Sequence, residues 1–280
     1  MWRSFLFVPT LQDRFVAKAA SRGADAVILD LEASIAPNQK DEARAALPKT
    51  VDRLANDVDV TVRINPLWMP AILDLEACVM PGVKAVHMAL CESAEHVKAV
   101  DAIISELEHM RGLPVGGLKL VAMIESATAL TQAPQIAAAS PRLVGMTLGV
   151  EDYATSMGVK ATPDLLRPAV FQLNQTAKSA GLYSFAIPAS MADFSDTASL
   201  EVQARYARAI GTGGGYAVHP TQIEVLNTVF SPTTDEIDWA KKVMDGAKKA
   251  EARGLGVFKV DGQMIDKPLV ERAVSILRPR

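Results

Sequence analysis

Eight short apolar runs recur along the 280-residue chain, and their spacing constrains the fold more than any other feature. They are rich in Val, Ile, Leu and Phe and occupy residues 5–9, 26–32, 60–65, 85–90, 119–125, 143–149, 183–189 and 216–220. The runs are nearly continuous rather than alternating, which is typical of strands covered on both faces in a parallel sheet. Segments with helical spacing separate them, at 12–22, 38–56, 92–111, 126–139, 164–181 and 197–211.

This alternation of strand and helix is compatible with an open doubly wound sheet or with a closed barrel. Eight strands in a chain of this length favour an α/β fold of the (β/α)8 TIM barrel type, which forms a single unit of about 250 residues. Neither GxGxxG nor GxxxxGK[ST] follows any of the runs, which disfavours a dinucleotide-binding or P-loop fold. We expect residues 1–230 to form the barrel domain.

Residues 231–280 exceed what a barrel needs, and we expect them to form a C-terminal helical extension. A charged helix from about 234 to 253 comes first, then a stretch with several glycines through Gly262, then a final helix to Arg280. Two interpretations are open. The extension either covers the flank of its own barrel or forms a lid or arm that reaches a neighbouring subunit.

The charge balance gives no indication of a polyanionic or membrane partner. The 29 basic and 32 acidic residues leave a net charge of −3 without a block of one sign, so we expect neither nucleic-acid nor membrane binding. No run approaches the roughly 18 apolar residues of a membrane span, and a cytoplasmic protein is expected. Cys78 and Cys91 form no CxxC pair, and we expect two buried free thiols.

Polar residues end several of the predicted strands, where a β/α barrel gathers its reacting groups at one mouth. They are Asp30, Glu32, Arg63, Asn65, Glu125, Glu151, Asp152 and His219. Converging carboxylates repel one another unless cations, a shared proton or a metal ion balance them. Oxygen ligands without cysteine or paired histidine suit Mg²⁺, which takes one or two protein carboxylates, and Glu125 with Asp152 fits that set. Taken singly, each acid could instead cap a helix or form an ion pair.

Three basic side chains have competing interpretations. Arg63 ends an apolar strand, where a guanidinium is costly unless anions meet it. It either neutralises a neighbouring carboxylate or acts as a planar donor to a substrate carboxylate or an enolate oxygen. His219 precedes Pro220 and either fixes that turn or contacts the substrate. His87, inside the fourth run, is either a core residue or a ligand, and we expect a core residue.

Short motifs around these residues follow one another in a specific order along nearly the whole chain. They are 3–9 (RSFLFVP), 25–32 (DAVILDLE), Lys40 with Arg44, 63–65 (RIN), 124–126 (IES), 149–153 (GVEDY), 218–222 (VHPTQ) and 262–268 (GQMIDKP). In this order they resemble the citrate lyase β-subunit family of the HpcH/HpaI aldolase superfamily. Its relatives include the malyl-CoA and citramalyl-CoA lyases.

The resemblance implies a TIM barrel assembled as a homotrimer or hexamer, with Mg²⁺ held by Glu125 and Asp152. It implies that Arg63 contacts the carbonyl or carboxylate of an oxo acid. It also implies that Asp266, in the C-terminal extension, reaches a neighbouring subunit's site as a general acid or base. We place Glu32 beside Arg63 in the catalytic group, and we expect further substrate contacts from Pro9, Asn65 and His219.

Three positions depart from the usual motifs of the family. Ala33 stands where an aspartate is common, Ala89-Leu90 where Pro-Lys is common, and Thr10 where glycine is usual. Losing a lysine removes a cation from the mouth and losing an aspartate removes an anion, so the two changes balance in charge.

We therefore expect a Mg²⁺-dependent carbon–carbon lyase or aldolase. It would cleave or form a 3-hydroxyacyl-CoA of the citryl, malyl or citramalyl kind, with an acyl-CoA and a 2-oxo acid as the other side of the reaction. Two alternatives remain. The absence of the Pro-Lys pair favours a CoA-independent 2-oxo-acid aldolase, whereas Ala33 and Leu90 together favour a noncatalytic homologue that binds a metabolite.

Overall fold

The computed structural model of the chain describes residues 2–192 and 194–278. The outer ends of the two expected domains, Met1 and Arg280, lie outside the described residues. The chain divides into two compact units, one that ends at Phe230 and one that begins at Ser231.

Parallel strands form the centre of the first unit. They are β1 (Ser4–Pro9), β2 (Ala26–Asp30), β3 (Asp59–Ile64), β4 (Val83–Met88), β5 (Lys119–Ile124), β6 (Leu143–Leu148), β7 (Tyr183–Ser184) and β8 (Gly215–Ala217). Over the described ranges these eight strands pair in the order β7-β6-β5-β4-β3-β2-β1-β8. From β1 to β7 each strand pairs with its neighbour in sequence, and β8 pairs with β1. This is the strand order of a β/α barrel. The predicted fold class is confirmed.

Helices follow the strands and cover their outer faces. They are α1 (Asp13–Ala19), α2 (Lys40–Leu54), α3 (Met69–Cys78), α4 (Ala94–Met110), α5 (Ala127–Ala137), α6 (Val150–Ser156), α7 (Pro163–Ser179), α8 (Thr197–Ala209) and α9 (Pro220–Val229). A buried apolar stripe, such as Val97, Val100 and Ile104 of α4, faces the sheet from each long helix. The short α3 and α6 were not among the predicted helices.

Aromatic side chains inside the sheet join its two edges. The ring of Phe5, on β1, lies 5.0 Å from the ring of Phe185, just after β7, and 5.0 Å from the ring of Tyr216, on β8. The Gly213 N–H, just before β8, donates to the Ser184 carbonyl of β7 at 2.9 Å. Because one interior ring contacts both edges, the sheet is curled into a barrel with a filled core.

The strand predicted at 183–189 is wrong beyond its first residues, because β7 is confined to Tyr183–Ser184. The Phe185 N–H still donates to the Met146 carbonyl of β6. Pro188 has no N–H to continue that ladder, so regular pairing cannot extend to the end of the predicted run.

The strand predicted at 216–220 is also too long, because β8 ends at Ala217. The N–H groups of Val218 and His219 donate to the Gln222 side chain, at 2.8 and 3.0 Å. These donors therefore serve the first turn of α9 instead of a neighbouring strand.

His87 is a core residue of the barrel, as predicted. Its ring nitrogens lie 3.1 Å from the Tyr216 hydroxyl and 3.1 Å from the Thr61 hydroxyl. Burial, with a smaller effect of Arg63, lowers the pKa of His87 to about 3, so the ring is neutral.

Both cysteines are buried free thiols, as predicted, and burial raises the pKa of Cys91 to about 12.

The second unit consists of two helices and a hairpin. Its elements are α10 (Thr234–Glu251), β9 (Phe258–Val260), β10 (Gln263–Ile265) and α11 (Lys267–Leu277). The antiparallel hairpin was not predicted, although its signal is present. Asp261 and Gly262 form the two-residue turn with φ of 47° and 83°, and Asp-Gly is a favoured pair where both turn residues need positive φ.

None of the helices in residues 2–192 and 194–278 is long and apolar enough to cross a bilayer.

Candidate active site

A cavity of about 480 Å³ lies where the strands of the barrel end. Its polar wall consists of Asp30, Ser34, Arg63, Glu125, Glu151 and Asp152. Its apolar wall includes Phe7, Pro9, Met123, Val150, Met191 and Val218. The structure thus brings most of the polar strand ends, together with Pro9, around one mouth. Of this apolar wall only Pro9 was predicted from the sequence, because residues such as Met123 and Met191 stand out by no motif.

Arg63 is held between two carboxylates at one side of this cavity. It is the penultimate residue of β3 and lies opposite Asp30 of β2 in the sheet register. Its Nε donates to Asp30 Oδ1 at 2.7 Å and its Nη2 to Asp30 Oδ2 at 2.8 Å. The third nitrogen, Nη1, lies 3.0 Å from Glu32 Oε2, and the guanidinium stacks 4.6 Å from the Phe7 ring centroid. This two-point contact with Asp30 fixes the guanidinium plane, which a lysine cannot reproduce.

Asp30 is a buried carboxylate that stays ionised because it is saturated with donors. Besides the arginine, it accepts the N–H of Glu32 at 3.0 Å and the N–H of Ser34 at 2.9 Å. Burial raises the pKa of Asp30, but the hydrogen bonds and charge of Arg63 and the bonds to Ser34 outweigh it, and the net pKa is below the ordinary value.

Glu125 faces Arg63 from the end of β5 and is only 5% exposed. Its Oε2 accepts the Leu90 N–H at 2.6 Å. Burial is the largest cause that raises the pKa of Glu125 to about 7. The Leu90 N–H and the Arg63 charge oppose that rise. The negative charges of Asp152 and Glu32 reinforce it.

Asp152 and Glu125 form a donor pair suited to a hard cation. Asp152 is exposed in the first turn of α6 and lines the same cavity as Glu125. A buried carboxylate whose pKa is raised to about 7 beside another carboxylate gains stability from a nearby cation. Among the described residues no group of three or more His, Cys, Asp or Glu is arranged as a metal cluster. Two carboxylates with water and substrate oxygens are sufficient for Mg²⁺.

Asn65 is turned away from this cavity into a network behind it. Its Nδ2 donates to Asp74 Oδ2 at 2.7 Å and to the Leu31 carbonyl at 2.8 Å. Its Oδ1 accepts from Lys40 Nζ at 2.9 Å, and Asp74 is paired with Arg44 at 2.7 Å. These contacts engage both atoms of the Asn65 amide, which is not among the cavity-lining residues.

His219 also lies outside the cavity wall. It is the N-cap of α9, where its side chain accepts from the Thr221 N–H and Gln222 completes a capping box. Its ring stacks on Phe194 with 4.8 Å between centroids. His219 therefore fixes the turn before α9, because its side chain accepts a hydrogen bond from a backbone N–H at the start of that helix.

Asp266 belongs to the second unit. It is the N-cap residue of α11, and its side chain makes no capping hydrogen bond. An aspartate at an N-cap ordinarily accepts a backbone N–H of the helix, so this carboxylate is not committed to the local turn.

The fixed Arg63 and the carboxylates Glu125 and Asp152 lie together at the mouth of an eight-stranded β/α barrel, the place where barrel enzymes carry their active sites. The chain belongs to the HpcH/HpaI aldolase/citrate lyase family, whose pattern matches residues 3–220.

Relatives of known name match almost the full chain. The citrate lyase subunit beta of Haemophilus influenzae is 35% identical over 98% of this chain and 95% of that protein. The L-malyl-CoA/beta-methylmalyl-CoA lyase of Cereibacter sphaeroides is 29% identical over 99% of this chain and 93% of that protein. Among solved structures, CitE of Mycobacterium tuberculosis in complex with magnesium, acetoacetate and coenzyme A is 30% identical with a TM-score of 0.74, covering 98% of this chain and 96% of that one.

Proposed function

We propose that the protein is a Mg²⁺-dependent carbon–carbon lyase that cleaves or forms a 3-hydroxyacyl-CoA, with an acyl-CoA and a 2-oxo acid as the other side of the reaction. The observation that carries the proposal is the buried Glu125, with its pKa raised to about 7 beside Asp152 and opposite the fixed Arg63. Relatives named as citrate lyase β-subunits and malyl-CoA lyases support it.

Glu125 and Asp152 are the residues that would hold Mg²⁺, which supplies Lewis acidity toward the oxygens of an oxo acid. Glu125 keeps its free Oε1 for this role, because the Leu90 N–H binds Oε2. Neutralising this carboxylate pair also removes the electrostatic cost of ionising Glu125 in a buried place.

Arg63 is proposed to bind the oxo-acid oxygen and to stabilise negative charge as the enolate forms. A guanidinium carries five N–H donors. The hydrogen bonds to Asp30 use the N–H of Nε and one N–H of Nη2, and Nη1 forms an ion pair with Glu32, so both terminal nitrogens keep N–H groups for the substrate. Because Asp30 fixes the plane beforehand, these donors need not be reorganised during the reaction. Glu32 is proposed to share this task by holding Nη1.

Of the other predicted site residues, Pro9 lies at the cavity, whereas Asn65 and His219 do not line it. Pro9 lines the cavity, and we propose it as an apolar contact for the substrate. Asn65 and His219 are proposed to hold the neighbouring segments in place, because their side chains bind Asp74 and Thr221.

Asp266 is proposed as the proton donor and acceptor for the acyl-thioester carbon, supplied by a neighbouring subunit in a homotrimer or hexamer. Its freedom from the local helix cap supports this role. The segment 231–280 would then be a functional arm of the neighbouring barrel. We place the enzyme in the cytoplasm, where reduced cysteines such as the two buried thiols persist.

The test is a substrate panel with the purified protein and Mg²⁺. Citryl-, malyl- and citramalyl-CoA are supplied separately, and free acyl-CoA and oxo acid are both quantified by chromatography. Release of the two products in equal amounts from at least one thioester, abolished in Asp152→Ala, is the expected result.

The two alternatives have distinct signatures in the same experiment. A CoA-independent aldolase would instead combine pyruvate with a simple aldehyde and leave every thioester intact. A noncatalytic protein would bind Mg²⁺ and oxo acid without turnover of any substrate in the panel. Either pattern would overturn the proposed function.

A further inference from the structure

Lys40 makes three short contacts with the backbone and side chains behind the cavity. Its Nζ donates to the Leu31 carbonyl at 2.7 Å, to the Glu32 carbonyl at 2.6 Å and to Asn65 Oδ1 at 2.9 Å. An ammonium group has three N–H donors, so these acceptors engage all of them. Lys40 itself is not among the residues that line the cavity.

The position of this lysine is unfavourable for the helix that carries it. Lys40 is the first residue of α2, and Gln39 before it makes no side-chain cap. The N-terminus of a helix carries partial positive charge, so a cation there is disfavoured, whereas the following Asp41 and Glu42 are favoured. Helix stability therefore does not account for a lysine at this position, whereas its contacts with Leu31, Glu32 and Asn65 do.

The acceptors of Lys40 belong to the ends of two adjacent strands. Leu31 and Glu32 follow β2 directly, and Asn65 follows β3 directly. The same two strand ends carry the Arg63 guanidinium and the carboxylates that hold it. Charge-assisted hydrogen bonds to carbonyls are roughly twice as strong as neutral ones, so one ammonium ties both ends to the start of α2.

We propose that Lys40 is a positioning residue for the lyase site, which acts by holding the Glu32 backbone and the β3 end so that Glu32 and Arg63 keep their mutual geometry. This inference rests on the proposed function. Lys40 touches neither the cavity nor its proposed metal ligands, so its influence passes through the two strand ends. A displacement of about 1 Å at a positioned catalytic group can cost on the order of 100-fold in rate.

The experiment compares Lys40→Met, Lys40→Arg and the matched control Lys49→Met, which removes an exposed lysine from the same helix. In Lys40→Met, kcat is expected to fall about 10- to 100-fold through misplacement of Arg63 and Glu32, with a smaller change in KM for the thioester. Lys40→Arg should recover part of that loss, because guanidinium donors still reach carbonyl oxygens. Lys49→Met should match the wild type.

A double-mutant cycle separates positioning from a general loss of stability. In a Glu32→Gln background, where the partner of Arg63 is already altered, Lys40→Met should cost no more than about 3-fold, because coupled residues are non-additive. Equal losses in both backgrounds would overturn the proposal. A lower Tm with unchanged kcat per folded molecule would overturn it as well.

Amide hydrogen exchange supplies a readout that needs no turnover. The N–H groups of Glu32 and Ser34 both donate to Asp30, and their exchange should accelerate at least tenfold in Lys40→Met and stay unchanged in Lys49→Met. If the wild type turns over no substrate, the proposed function fails, and exchange still tests the positioning. Unchanged exchange at both amides in Lys40→Met would overturn the inference even where the wild type is active.

Discussion

Gly149 and Glu125 lie so close that a methyl group on Gly149 would fall 2.5 Å from both Cγ and Oε1 of the glutamate. The backbone φ of Gly149 is −78°, which any residue can adopt, so the glycine is required for space and not for conformation. Gly149 is also the N-cap residue of α6, the helix that carries Asp152. The absence of a side chain at this position therefore lets the two proposed ligands approach each other.

Gly149→Ala should displace the Glu125 carboxylate and weaken Mg²⁺ binding at least tenfold, since small shifts of a ligand are costly at a metal site. Isothermal titration with Mg²⁺ measures the change, and far-UV circular dichroism checks the fold. Gly256→Ala is the matched control, because no heavy atom lies within 4 Å of its added methyl. Equal Mg²⁺ affinity in Gly149→Ala and Gly256→Ala would contradict the assignment of Glu125.

Glu125 should make the metal-free protein less stable as pH rises from about 4.5 to about 7. The unfolded carboxyl titrates at its ordinary pKa of 4.5 and the folded one at about 7. Between these values the folded state binds the extra proton, so stability is lost with rising pH. The full effect is on the order of 3 kcal/mol.

Urea unfolding of Glu125→Gln in EDTA measures this contribution, because the amide cannot ionise. The variant should equal the wild type near pH 4.5 and exceed it at pH 8 by up to about 3 kcal/mol. A stability difference that does not change between these two pH values would show that Glu125 titrates normally.

The strand ends of this site follow from the sequence, whereas the direction of several side chains does not. Parallel strands bring their C-terminal ends together in a barrel whatever the loops do, and Arg63 and Glu125 therefore meet at one cavity. Asn65 also comes directly after a strand, yet its side-chain amide donates to Asp74, nine residues later on α3. Because α3 was not predicted, its buried Asp74 could not be considered as a partner of Asn65.

The backbone contact made by Glu125 could not be predicted from the sequence either. The Leu90 N–H donates to Glu125 Oε2, and Leu90 itself has a φ of 47°, a region that residues other than glycine seldom enter. Leu90 also stands where the resemblance leads us to expect lysine. Comparing sequences reveals the changed side chain at Leu90. It cannot reveal the hydrogen bond to Glu125, because the donor is the Leu90 backbone N–H.

Arg63→Lys should lower kcat about 100-fold, although the charge is kept. A lysine cannot bind both oxygens of Asp30 while it also donates to the substrate, because its ammonium is a single point. Steady-state assays with the active thioester measure the loss. Arg53→Lys is the control, since Arg53 forms an exposed pair with Asp13. Turnover of Arg63→Lys within a factor of about two of that control would reduce Arg63 to a structural ion pair.

Arg142 should matter for stability and not for turnover. It is 3% exposed, and it binds Asp101 at 2.5 Å and the 2% exposed Glu108 at 2.6 Å. Arg142→Met leaves the Glu108 carboxylate buried without its cation, at a cost of about 3–5 kcal/mol. Chemical denaturation measures the loss, with the exposed Arg205 to Met as the control. The double variant Arg142→Met/Glu108→Gln should recover part of it, and no recovery would argue against the unpaired-charge explanation.

Asp266 should act in trans, so that activity depends on the oligomer. Asp266→Asn and Arg63→Ala should each be inactive alone, the first for lack of the proton carrier and the second for lack of charge stabilisation. Mixed under conditions of subunit exchange, they should partly regain activity, because some sites combine an intact Arg63 from one chain with an intact Asp266 from its neighbour. If Asp266 serves its own barrel instead, every site in the mixture keeps one defect and no activity returns. Mixing Asp266→Asn with Arg63→Ala/Asp266→Asn is the control, and it should stay inactive in either case, since no chain in that mixture supplies the carboxylate.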